Sequence, residues 1–186
     1  GRISHVIELL DKTVELRANG VNIRVGNNSW GGSGVEVVLQ DAYQKLEDVG
    51  VLSICASGNA GVDIDMNPFE PAGLPNRGIV TVDASGSDNK LATFSNYGFI
   101  GTDVSAPGVL TLSTVPTNAT FNINSPTGYK AISGTSMSTP HVAGLAALVL
   151  SVNPNLSVYE LKDVMLNYQS TDEMTEMGLV STTGAK

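Results

Sequence analysis

The segment GTSMSTPHVAGLAALVL, Gly134 to Leu150, places Ser136 between a glycine and the start of an apolar helical pattern. A hydroxyl there has unpaired helix-end amides and the positive end of the helix dipole beside it, which stabilise the oxyanion its own attack on a carbonyl would create. Taken alone, a serine at such a position more often only caps the helix. The residues after it tip the balance: Ala143, Gly144, Ala146 and Ala147 permit close packing on every side and predict a helix buried in the centre of a domain. The pattern is not a G-x-S-x-G elbow, because Ser138 stands where the second glycine would be and no strand leads directly into it. His141 follows Ser136 by five residues. On one helix those side chains sit more than a turn apart, so they cannot share a short hydrogen bond. In ASGNAG, Ala56 to Gly61, the carboxamide of Asn59 rides on a glycine-flanked turn. It can aim an N–H at developing charge without ionising, although alone it reads as a turn residue that tolerates left-handed geometry.

The elements that must position these groups follow from periodicity. Ile3, Val6, Ile7, Leu10 and Val14 recur at helical spacing, and Asn19-Gly20 supplies a stop. Val21, Ile23 and Val25 alternate as a short strand, Val38, Leu39, Ala42 and Leu46 mark a second helix ending at Gly50, and VLSICAS and IVTVDA read as buried strands. Alternating helices and strands of these lengths predict an α/β domain with a mostly parallel sheet in three layers, with chemistry in the loops beyond the strands' carboxyl ends, at 28–34 and 58–61. Residues 94–130 are predicted to be short strands and turns. A long helix is expected from Thr135 to Val152, with Pro140 tolerated in its first turn and Asn153-Pro154 ending it. Ser157 and Glu160 have the spacing of a capping box for a last helix, with Leu161, Val164 and Met165 as its apolar face. No repeat or second domain is evident, and 168–186 read as a polar tail.

The net charge of -8 lacks the basic clusters that nucleic acid or an anionic membrane would require. The apolar run from Val142 to Val152 is too short to span a bilayer. Cys55, the only cysteine, lies in an apolar stretch and is expected to be a buried structural thiol. The chain starts at Gly1 without a signal peptide, so an upstream part is expected to be missing.

Across eleven consecutive positions, GTSMSTPHVAG resembles the active-site serine signature of the subtilase family of serine peptidases. NNSWGG at Asn27 to Gly32, ASGNAG, FSNYG at Phe94 to Gly98 and DVSAPG at Asp103 to Gly108 resemble further family segments. The resemblance implies a partial subtilisin-like fold lacking its N-terminal part, with Ser136 as nucleophile and the Asn59 amide and the Ser136 N–H as oxyanion donors. It also implies that Ser29, Trp30 and Gly31 pair with an extended substrate, while Ala56, Ser57 and Gly58 form the opposite wall of the pocket for the residue before the cut. Trp30 and the small wall residues then suggest a preference for bulky apolar or aromatic residues there; an ordinary core role for Trp30 is the alternative.

The family's base lies in an HGTHVAG-like segment that this sequence does not contain, and no Asp here occupies the family's Asp-x-Gly position. The expectation is therefore a secreted endopeptidase that acts on polypeptides through an acyl-enzyme on Ser136. Its C-terminal part, seen here, would be inactive alone, would expose apolar surface and would tend to self-associate. The alternative is a catalytically dead fragment serving as a binding or structural module. No cofactor is expected in this chain. The resemblance allows calcium in the complete enzyme, with the Ala72 to Arg77 loop and Asp103 similar to a minor cation site, whereas Asp63 and Asp65 read as a solvated loop.

Overall fold

A computed structural model describes residues 3–34, 37–117 and 123–167; the predicted polar tail lies outside the described residues. The elements run α1 (Ile3–Ala18), β1 (Val25–Asn28), β2 (Gly32–Ser33), α2 (Val37–Asp48), β3 (Leu52–Ala56), β4 (Phe69–Glu70), β5 (Ile79–Ser85), β6 (Val104–Pro107), β7 (Thr111–Thr114), β8 (Tyr129–Ile132), α3 (Thr135–Val152) and α4 (Val158–Leu166). Strands β1, β3, β5 and β6 form a parallel sheet in the order β1-β3-β5-β6. Two antiparallel pairs, β2 with β4 and β7 with β8, lie outside it.

The alternation of strand side chains divides the interior in two. Val51, Cys55 and Ile79 join Leu39, Tyr43 and Leu46 of α2 and Leu10 of α1, while Leu52, Ile54, Val80 and Val82 join Val142 and Ala146 of α3 and Leu161 and Met165 of α4. The result is helix, sheet, helix, as the periodicity predicts. Cys55 is fully buried. The capping box forms: Glu160 N–H donates to Ser157 Oγ, and Ser157 N–H donates back to the Glu160 carboxylate, holding that carboxyl below its usual pKa. Val164 turns outward, unlike Leu161 and Met165.

Two expectations need correction. The first sheet strand begins at Val25 rather than Val21, because Val21 N–H donates to Leu16 O and Ile23 N–H to Val21 O, so this stretch is used in closing α1. Helix α3 is buried on one face only. Its Thr135, Ser138, Thr139, Val142 and Ala146 face the protein, whereas Leu145, Leu148 and Val152 are 43%, 66% and 87% exposed, and a Cβ added at Gly144 would meet nothing within 4 Å. The sheet covers one side of α3, and among the described residues nothing covers the other. By length and mean hydropathy (1.2) this helix could cross a membrane, although Val142–Val152 alone reads as too short; its buried hydroxyls against the sheet mark it as a packing helix.

Candidate active site

The site is built around the first turn of α3. Gly134 has φ 155°, a geometry that favours glycine, and hands the chain from β8 into the helix. Its N–H donates to Gly108 O at 2.8 Å, and a Cβ at Gly108 would lie 2.2 Å from Ser138 Oγ and 2.6 Å from Ala84 Cβ. The DVSAPG glycine therefore lets the helix start sit directly against the end of β6. Thr135 N–H donates to Asn59 Oδ1 at 2.8 Å, and the Thr135 hydroxyl to the same oxygen at 3.1 Å. Asn59 thus caps α3 with its carbonyl, and among the described residues its Nδ2 has no hydrogen-bond partner. Ser136, the second residue of the helix, has a backbone N–H with no acceptor within the helix. The Asn59 side chain and the Ser136 main chain each leave one donor free at this first turn.

Asn59 is held by a residue whose role the sequence reading missed. Asn96, fully buried in FSNYG, accepts from Ala60 N–H at 2.9 Å and Val62 N–H at 3.2 Å through Oδ1, and donates from Nδ2 to Ser57 O at 2.8 Å. It clamps the loop on both sides of Asn59. The signal is an amide-bearing residue inside a polar motif, but the partners lie 34–39 residues away.

Ser136 Oγ donates to Ser29 O at 3.2 Å, and Ser29 Oγ donates back to Ser136 O at 3.0 Å. The segment NNSWGG is thereby fastened to the first turn of α3. A carbonyl accepts a hydrogen bond but cannot take the proton away, so this arrangement leaves Ser136 unactivated. The two histidines are elsewhere. His141 is exposed and its Nδ1 lies 2.8 Å from Met137 O on its own helix, and His5 is on α1 in the opposite helical layer. No base is paired with Ser136 among the described residues.

The two predicted substrate walls face a common object. A Cβ at Gly31 would meet Phe69 Cε1 at 2.3 Å and Cζ at 2.7 Å; one at Gly58, where φ is +109°, would meet both atoms at 3.0 Å. Ala56, Ser57 and Gly58 are buried, and the Ser57 hydroxyl donates to Asn96 O. Trp30 is half-buried and packs on the cluster of α1 and α2, as Phe69 does. Beneath this wall Asp83 is fully buried, and burial pushes its pKa up to about 8. Ser57 and Thr102 hydroxyls lie close enough to soften that rise, but their protons go to Asn96 O and Gly98 O, and neither carboxyl oxygen of Asp83 receives a hydrogen bond.

The cation site suggested near Asp103 does not fit the residues present. The buried Lys162 of α4 donates from Nζ to Ile79 O and lies 3.1 Å from Asp103 Oδ1; Asp103 Oδ2 accepts from Thr81 N–H at 2.8 Å. Ala72 O accepts from the Thr81 hydroxyl and Asn76 O from Ile79 N–H. Calcium takes six to eight oxygen ligands, and here both carboxylate oxygens and these carbonyls already have donors. The positive charge paired with Asp103 is the Lys162 ammonium. Asp63 and Asp65 are a loop tie: Asp63 accepts from Asp65 N–H at 2.9 Å, and Asp65 accepts from the N–H groups of Ile100 (2.9 Å) and Gly101 (2.5 Å).

Comparison with known proteins agrees with this architecture. The Subtilase family matches residues 6–184. Alkaline elastase YaB of Bacillus sp. (strain YaB) is 40% identical over 149 residues, covering 80% of this chain and 35% of its own length. Subtilisin BL of Lederbergia lenta is 34% identical over 171 residues, 90% of this chain and 58% of its own. The crystal structure of a cold adapted subtilisin-like serine proteinase superposes with a TM-score of 0.79 at 34% identity, over 97% of this chain and 60% of that one. The chain thus spans between 35% and 60% of the proteins it resembles here.

Proposed function

Because this chain belongs to the subtilase family, we propose that it is the nucleophile-bearing C-terminal part of a serine endopeptidase whose proton acceptor lies outside it. The observation that carries the reading is the first turn of α3, where the Asn59 carbonyl caps the helix so that its Nδ2 and the Ser136 N–H remain as unused donors at the turn that bears Ser136. In the complete enzyme Ser136 Oγ attacks the scissile carbonyl carbon of a polypeptide while its proton passes to a base supplied by the remainder of the protein. The carbonyl oxygen becomes the oxyanion and accepts from those two donors. Collapse expels the amine, which leaves with that proton, and water then hydrolyses the acyl group from Ser136.

The remainder would also cover the bare face of α3 and pair with the outer edge of β1, the edge strand of the sheet. An extracellular site of action accords with the family reading, and without the remainder the chain is expected to be inactive and to self-associate. A second reading, a catalytically dead binding or structural module, is favoured by one observation: the Ser136 hydroxyl is directed at a carbonyl and not at a base.

A fluorophosphonate separates the two. In the protein comprising this chain and the segment encoded upstream, Ser136 is expected to be covalently labelled, and Ser136→Ala to abolish the label. Labelling elsewhere, or none, supports the second reading and removes the first.

A further inference from the structure

The cleft between residues 29–31 and 56–58 is already partly filled from within. Phe69 sits in β4, paired with Ser33 of β2, and its carbonyl accepts from Gly73 N–H at 2.7 Å, so the backbone is held on both sides of the ring. The ring packs on the same apolar cluster as Trp30 and brings Cε1 and Cζ against both walls at once. An alanine at Gly31 would collide with the ring at 2.3 Å, and one at Gly58 would press on it at 3.0 Å and strike Asn96 Nδ2 at 2.3 Å. The glycines of the two walls therefore make room for Phe69, not for a large substrate side chain.

We propose that Phe69 is the specificity-determining residue of the pocket that precedes the cut, closing it so that the complete enzyme accepts small neutral residues, Gly, Ala or Ser, there. The proposal rests on the peptidase reading and reverses the expectation of a bulky or aromatic preference, which assumed that the small wall residues open onto free volume. The ring is half-buried and pressed against both walls, so an incoming aromatic group would have to displace side chains already in contact. The pocket also lacks a counter-charge. Ser57 is turned to Asn96 O, and Asp83 behind it is fully buried and carries a carboxyl that burial keeps largely protonated near neutral pH. Basic residues gain nothing there.

The test is cleavage of a peptide series varying only the residue before the cut, using the complete protein, its Phe69→Gly and Phe69→Ala variants, and melting curves to show that each is folded. The wild type should prefer Ala over Phe by about 10-fold or more in kcat/KM, a discrimination of the size that pocket sterics supply. Either variant should move that ratio toward Phe by a similar factor. A wild type that already prefers Phe or Leu, or folded variants with an unchanged ratio, overturns the proposal. If no peptide is cut and Ser136 takes no label, the peptidase reading fails separately. The pocket is then read by equilibrium binding of N-acetylated tetrapeptides ending in Ala or Phe: tighter binding of Ala, lost in Phe69→Gly, supports the closed pocket, and equal or tighter binding of Phe overturns it.

Discussion

The inward and outward sides of α3 differ in how completely their groups are matched. Inward, Thr135 meets Asn59, Ser136 meets Ser29, and Val142 and Ala146 meet the sheet. Outward, among the described residues, Leu148 and Val152 are exposed and a Cβ at Gly144 would meet nothing within 4 Å. The first turn of α3 is thus specified by contacts inside this chain, while among the described residues no proton acceptor for Ser136 and no cover for the outer face is found. Substitutions on the matched side should be costly and those on the bare side nearly free.

The largest effect is expected at Asp83 of β5, on the face of the sheet turned away from α3, which is buried but receives no hydrogen bond. Its carboxyl has a folded-state pKa of about 8 against an ordinary value of 3.8. Between those values the unfolded chain is ionised and the folded chain holds the proton, so this group makes stability fall as pH rises from about 4 to 8. The upper bound is roughly 5 kcal/mol. Melting temperatures across that range should slope downward in the wild type relative to Asp83→Asn; parallel curves would show that the carboxyl is not buried as described.

Lys162→Ala should cost about 3–5 kcal/mol, because it strands the Asp103 carboxylate in the interior. Urea denaturation checks this. Since the positive charge paired with Asp103 is the Lys162 ammonium, adding calcium or a chelator should leave the wild-type midpoint unchanged through this site. A calcium-dependent rise that Asp103→Asn abolishes would contradict that.

Asn59→Asp keeps an acceptor for Thr135 N–H but removes the Nδ2 donor. In the complete enzyme it should retain the helix cap yet lose about 10²- to 10³-fold in kcat, the size of loss known from removing one oxyanion donor in subtilisin, a relative of this chain. Equal losses of stability and rate would mean that Asn59 only caps α3.

At the small end, Leu148→Gln on the bare face should change the stability of the isolated chain by no more than about 0.5 kcal/mol. It should reduce self-association, because it interrupts an exposed apolar strip. Sedimentation velocity measures the latter, and a large stability loss would show that the face is already covered.

Much of this contrast was legible in the sequence. The bounds of α3 follow from Thr135, Pro140 and Asn153-Pro154, and the Ser157–Glu160 box from local spacing, because helices and caps are made by residues three and four apart. Three features were not legible for the same reason inverted. Asn96 reaches 34–39 residues back to clamp the Asn59 loop, Lys162 reaches 83 residues back to Ile79, and Phe69 enters the cleft from a two-residue strand with no periodicity of its own. The bareness of α3 was hidden too, since alanine and glycine suit close packing whether or not a neighbour is present.

The first turn of α3 is formed, and among the described residues no base is paired with Ser136. Peptide hydrolysis by the full chain alone, then after addition of the segment encoded upstream, tests it most directly. No useful turnover is expected from the chain alone, and Ser136-dependent turnover is expected on mixing. Turnover by the chain alone that Ser136→Ala abolishes would contradict it and place a base, His5 or His141, where the structure does not.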